Sequence, residues 1–138
     1  MGSSYRHRCD GCGYEVSTSG AWEFYRDRRG RRRPYGHPVP RSETARRRGI
    51  YGLSVEVYCP GCDKVSDAVL VEFVKPCHES IMVWSGQCEP KEEFRREDAV
   101  RCPRCGSTDL LLEAVDEKEV ACPRCRKGRL IGWMEWIS

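Results

Sequence analysis

The sequence predicts a small β-rich, metal-stapled protein: two four-cysteine zinc ribbons, the first with a long Arg-rich insertion. Three observations carry that prediction. Cys-x-x-Cys pairs stand at Cys9/Cys12, Cys59/Cys62, Cys102/Cys105 and Cys122/Cys125, whereas ten cysteines placed by chance over 138 residues give about 0.7 such pairs. A composition of 39% hydrophobic and 33% charged residues is polar for a chain that must fold on a core alone, so a staple is expected. The segments flanking the pairs alternate with period two or are rich in β-branched residues, and Gly and Pro punctuate them.

Taken in order, residues 5–16 read as a strand, a first knuckle Cys9-Asp10-Gly11-Cys12-Gly13, and an exit strand at Tyr14–Val16. Glycine after the second cysteine suits a left-handed turn whose amides face the thiolates. Residues 17–25, with Trp22, Phe24 and Tyr25, read as a strand that buries its rings. The stretch from Arg26 to Arg48 holds three prolines and little apolar content, and reads as an extended, exposed loop. Within it, Ser42 is placed to cap a short helix beginning Glu43-Thr44-Ala45. Leu53–Tyr58 alternates into the second knuckle, and Val65–Val74 continues as strand, ending before Pro76. Ile81–Trp84 reads as a strand followed by a turn at Ser85-Gly86, and Glu89–Asp98 as a charged connector. The third knuckle leads to a strand at Asp109–Val115, an acidic turn at Asp116–Glu119, the fourth knuckle, and a last strand Arg129–Ile137 with Trp133 and Trp136. The expected domains are therefore 1–88, with the basic insertion at about 26–48, a connector 89–98, and a compact unit 99–138.

The spacing from Cys105 to Cys122 lies inside the range of a four-cysteine ribbon, which predicts one site from Cys102, Cys105, Cys122 and Cys125. The other is then Cys9, Cys12, Cys59 and Cys62, with the long insertion at its hairpin tip, where added loop length costs only about 0.6 kcal/mol per doubling. A competing arrangement interleaves the knuckles and joins Cys59/Cys62 to Cys102/Cys105. Either way two Zn²⁺ ions per chain are expected. Four thiolates close the coordination shell, which argues for structural rather than catalytic metal. No nucleophile–base constellation, phosphate loop or dinucleotide fingerprint is present, so the chain reads as a non-enzyme. Cys77 and Cys88 read as core or half-exposed thiols, with a mutual disulfide or a third metal site as the alternative, and His7 and His37 as surface or loop histidines.

Charge is divided along the chain: residues 1–48 hold twelve arginines against five acids, and residues 49–138 hold twelve basic against sixteen acidic residues. Arg28, Arg29, Arg31, Arg32 and Arg33, with Arg46, Arg47 and Arg48, are the candidate nucleic-acid-binding residues, and Tyr25 and Tyr35 are candidate stacking rings. RNA or single-stranded DNA is the expected partner, with protein–protein adaptor as the alternative. Apolar runs are too short for a membrane span, the first residues do not read as a secretory leader, and paired cysteines then point to the cytoplasm.

The run Cys9-Asp10-Gly11-Cys12-Gly13-Tyr14-Glu15-Val16, the knuckle Cys59–Cys62, the run Cys102-Pro103-Arg104-Cys105-Gly106-Ser107-Thr108-Asp109-Leu110, and Cys122-Pro123-Arg124-Cys125 with Gly128 and Leu130 resemble small uncharacterised prokaryotic tandem zinc-ribbon proteins. The resemblance covers about a quarter of the chain and implies the ribbon architecture; it implies little about activity.

Overall fold

Tyr5, His7 and Cys9 are buried while Arg6 and Arg8 point outward, so the first strand, Ser3–Cys9 (β1), has one core face and one wet face. The computed structural model describes residues 3–78, 88–96, 99–112 and 120–137. After β1 come Glu15–Ser19 (β2), Trp22–Arg26 (β3), Arg32–Pro34 (β4), a helix Glu43–Arg48 (α1), Ile50–Cys59 (β5), Lys64–Cys77 (β6), a 3₁₀ turn Glu92–Phe94, Val120–Ala121 (β7) and Arg129–Ile137 (β8). One four-stranded sheet has the order β2-β1-β8-β7 and the other β4-β3-β5-β6.

Two units divide the chain. One comprises Trp22–Ser54 and Val69–Val100; the other comprises Gly2–Ala21, Val55–Ala68 and Arg101–Ser138. This differs from the expected split into 1–88 and 99–138: each unit draws on separated segments, and β5 and β6 carry the chain from one to the other.

In the first unit, β3 pairs antiparallel with β4 (Tyr25 opposite Arg33) and with β5 (Glu23 opposite Leu53). Tyr35, Ala45, Ile50, Phe73 and Cys88 form its core, with Tyr25, Val71 and Cys77 packed against them. The stretch 26–48 is thus no extended loop. Asp27 closes a β3–β4 hairpin, its carboxylate accepting the backbone N–H groups of Arg29 (2.9 Å) and Arg31 (3.0 Å). Ser42 caps α1 as expected, its hydroxyl accepting from the Ala45 amide at 3.1 Å. The strand β6 runs through Pro76 to Cys77 rather than stopping before it. Cys77 and Cys88 form a disulfide, the alternative to the core or half-exposed thiols expected first.

In the second unit, β1 pairs with β2 (His7 opposite Val16) and with β8 (Cys9 opposite Leu130). Tyr58 exchanges backbone hydrogen bonds with Leu111 (3.0 and 2.9 Å). Cys9, Tyr58, Leu111, Val120, Cys122 and Leu130 make one buried cluster. His7, expected at the surface, lies in β1's core face at 1% exposure and bonds the Thr18 hydroxyl at 3.1 Å. Trp133 and Trp136 are 41% and 53% exposed on β8, so these rings are not core residues. The expected strand at 81–84, the turn at 85–86, the acidic turn at 116–119 and part of the strand 109–115 lie outside the described residues.

Candidate metal centres and a cationic edge

All four knuckles share one backbone design. The amide of Gly13, Asp63, Gly106 or Arg126 donates to the carbonyl of Cys9, Cys59, Cys102 or Cys122 respectively, at 2.8–3.1 Å. That residue, the fifth of each turn, has φ of 78°, 53°, 75° or 61°. Glycine adopts this left-handed conformation without steric penalty, whereas Asp63 and Arg126 adopt it as L-residues. The turn aims amides at sulfur: Gly11 donates to Cys9 Sγ (3.2 Å), Arg104 to Cys102 Sγ (3.4 Å), Arg124 to Cys122 Sγ (3.4 Å) and Gly128 to Cys125 Sγ (3.3 Å).

The eight cysteines gather into two tetrads, Cys9/Cys12/Cys122/Cys125 and Cys59/Cys62/Cys102/Cys105. Consecutive pairing is therefore overturned and the interleaved alternative holds. Its cause is strand pairing: β1, which ends at Cys9, lies beside β8, which follows Cys125, while Tyr58 before Cys59 pairs with Leu111 after Cys105. The outer knuckles meet each other, and so do the inner ones.

Each tetrad can hold a metal ion. A tetrahedron of sulfurs with metal–sulfur bonds of about 2.3 Å has edges of about 3.8 Å. The Sγ–Sγ separations are 3.6 Å (Cys9–Cys125), 3.7 Å (Cys12–Cys122), 3.6 Å (Cys59–Cys105) and 3.9 Å (Cys62–Cys102). The ionisation pattern fits as well. Backbone amides of Gly128 and Lys127 hold the Cys125 thiol down to about 6. Burial acts against Cys102, yet the amides of Cys105 and Arg104 outweigh it and bring that thiol to about 7. Cys62 is pushed up to about 12, chiefly by neighbouring Cys105 and then by burial. Backbone amides thus favour some thiolates of a tetrad while neighbouring thiols and burial oppose others; a cation at the centre favours the thiolate form of all four.

A carboxylate sits between the knuckles. Asp63 Oδ1 accepts the Tyr58 hydroxyl at 2.6 Å and the Tyr14 hydroxyl at 3.0 Å, and Oδ2 lies 3.0 Å from Arg124 Nη2. The Arg124 guanidinium also lies 4.9 Å from the centre of the Tyr14 ring. The hydrogen bond from Tyr58, foremost, holds Asp63 below the usual carboxylate range. None of these four residues stands out in the sequence as functional. The available signal was positional: Asp63 follows its second cysteine where Gly13 and Gly106 follow theirs. Other cations beside the knuckles have nearby partners too. Arg104 bonds Ser66 Oγ at 3.2 Å, and Arg6 and Arg8 lie 3.6 and 3.8 Å from the Glu15 carboxylate.

In the other unit the two arginine clusters come together. Arg48 donates to the carbonyls of Arg26 (2.8 Å) and Asp27 (3.4 Å), which fixes the end of α1 against the hairpin. Arg31 and Arg33 both reach the Asp27 carboxylate (3.2 and 3.3 Å), Arg32 bonds Ser54 Oγ at 2.7 Å, and Arg46 lies 3.7 Å from Glu43. Hydrogen bonds from Arg31 and Arg29 amides and the Arg33 side chain hold Asp27 at about 2. Arg28, Arg29 and Arg47 are exposed, with no acidic side chain paired to them among the described residues. Tyr35 is 3% exposed and belongs to the core, and Tyr25 packs against the same cluster, so neither is the open stacking ring expected.

No helix among the described residues is long and apolar enough to cross a membrane. Comparison with family models, with curated proteins and with solved structures finds no match for the chain. The resemblance to tandem zinc-ribbon proteins accordingly rests on the knuckle motifs alone.

Proposed function

We propose that the chain is a zinc-binding, non-catalytic accessory protein that holds nucleic acid on the cationic edge formed by the β3–β4 hairpin and α1. The observation that carries this reading is the Arg48 tether, which ties the end of α1, with Arg46–Arg48, to the hairpin that carries the arginines of 28–33. That unit carries fourteen basic against ten acidic residues. An edge of guanidiniums favours polyanions, and burial of Tyr35 directs the contacts to phosphates rather than to stacked bases. All-sulfur tetrahedral donor sets suit zinc, and a shell closed by four thiolates supports a structural role for it. Eight unoxidised thiols gathered into two tetrads accord with a cytoplasmic protein; the Cys77–Cys88 disulfide is the feature that stands against that compartment.

The test is fluorescence anisotropy with a labelled single-stranded RNA and a duplex DNA between 50 and 200 mM salt. Binding is expected to weaken with a log–log slope of about −0.7 per phosphate neutralised on single strands and about −0.9 on duplex. Changing Arg28, Arg29 and Arg47 together to Ala removes cations without touching the Asp27 clasp, and should flatten the slope by about 2. Unchanged affinity in that variant on both probes would refute the nucleic-acid reading.

One observation favours a protein partner instead. Ile131, Trp133, Met134 and Trp136 are all exposed on β8, and Ile131 and Trp133 line a shallow groove of about 520 Å³ beside Cys9–Gly13. A Trp133→Ala and Trp136→Ala variant that keeps nucleic-acid affinity but loses a stoichiometric protein partner would establish that second reading.

A further inference from the structure

We infer that the two metal centres load cooperatively, coupled through the Asp63 carboxylate. Every group in this hydrogen-bonded cluster belongs to a knuckle. Asp63 follows Cys62 and Tyr58 precedes Cys59, so both are set by the inner tetrad; Tyr14 follows the Cys9–Gly13 turn and Arg124 lies between Cys122 and Cys125, so both are set by the outer one. Asp63 is aimed by its own knuckle, because its amide donates to Cys59 O at 2.8 Å while its φ is 53°. Ordering the inner knuckle around an ion therefore presents a carboxylate already pointed at Tyr14 and Arg124. An outer tetrad assembling against it finds those partners in place, and the ordering cost is met once for two sites. The buried cluster gives the same linkage in apolar form, since ligands Cys9 and Cys122 pack with Tyr58, which adjoins inner ligand Cys59.

Coupling between sites commonly amounts to 5–150-fold, and a tenfold gain for the second ion suffices to be seen. Native mass spectrometry of the whole chain with Zn²⁺ added to half-saturation reads it directly. Two equal, independent sites leave about half the chains with one ion, whereas tenfold coupling lowers that share to about a quarter. The wild-type chain should show about a quarter or less. Asp63→Gly keeps the left-handed turn and removes the carboxylate; Tyr14→Phe with Arg124→Ala leaves the Asp63–Tyr58 bond intact and cuts the ties to the outer tetrad. Both variants should still take two ions, with the singly loaded share rising to about half. A wild-type share of half or more overturns the inference, as does a low share that neither variant raises. A chain that binds no zinc at all would instead refute the metal half of the proposed function, so the two failures are distinct.

Discussion

Replacing Gly128 by Ala should weaken one metal site and leave its identity visible. A Cβ on Gly128 would stand 2.5 Å from Cys9 Sγ, 2.7 Å from the Gly11 amide nitrogen and 2.8 Å from Asp10 Oδ1. Ordinary contact begins at about 3.5 Å, so neighbours must move by about 1 Å. Retreat of residue 128 is blocked: its amide donates to Cys125 Sγ at 3.3 Å, and its carbonyl accepts from the Cys122 amide at 2.9 Å. The displacement therefore falls on a sulfur of the Cys9/Cys12/Cys122/Cys125 tetrad and on knuckle backbone. Overpacking of this kind costs about 1–3 kcal/mol. At about 1.4 kcal/mol per decade, that is an affinity loss of about 5- to 150-fold. Competition with a chromogenic chelator measures the loss, and mass mapping after brief alkylation locates it. Cys9, Cys12, Cys122 and Cys125 should become reactive first. Wild-type affinity would refute the steric reasoning, and exposure of Cys102 and Cys105 with Cys122 and Cys125 while Cys9 and Cys12 stay protected would refute the nested pairing itself.

Three further outcomes are expected. The Asp27 carboxyl, held at about 2 by Arg31 and Arg29 amides, is more acidic folded than unfolded. Its stabilising contribution is therefore complete above about pH 4 and lost as pH falls towards 2; carbon-13 NMR should find its midpoint near 2, and a midpoint near 4 would show that the hairpin clasp is not formed. Arg126 holds a left-handed φ of 61° that disfavours an L-residue by about 1–2 kcal/mol, against about 0.5–1 kcal/mol of extra chain entropy for glycine. Arg126→Gly should raise the denaturation midpoint at fixed free zinc by about 0.5 kcal/mol equivalent, and Gly13→Ala should lower it by about 1 kcal/mol; a destabilised Arg126→Gly would show that the side chain contributes more than the strain removes.

What local chemistry dictates was legible in the sequence. The last strand, Arg129–Ile137, and the Ser42 cap follow from patterning within a few residues, and both stand where expected. The eight cysteines that gather into tetrads were equally plain, because Cys-x-x-Cys is itself a local turn. Which knuckles share an ion was not, since spacing constrains a turn and not the neighbour a strand acquires. Pairing of Cys9 with Leu130 joins residues far apart in sequence, and no periodicity encodes it. The arginine stretch misled for a related reason. Asp27 converts three of its neighbours into a closed hairpin, and one acid amid arginines carries little weight in a composition. Tyr35 looked free because its prolines looked loose, yet a core assembled from Ile50, Phe73 and Cys88 claims the ring.

The nesting of the tetrads has a consequence for how the protein is made. During synthesis the inner four cysteines are all available once Cys105 has emerged, so that centre can close while the chain is still growing. The outer centre has to wait: Cys12 and its partner Cys122 are 110 positions apart. At about 5–20 residues per second, the first knuckle stands as a bare dithiol for about 5–20 seconds. For that interval it is open to oxidation or to capture by another metal, and only arrival of the fourth knuckle ends the exposure.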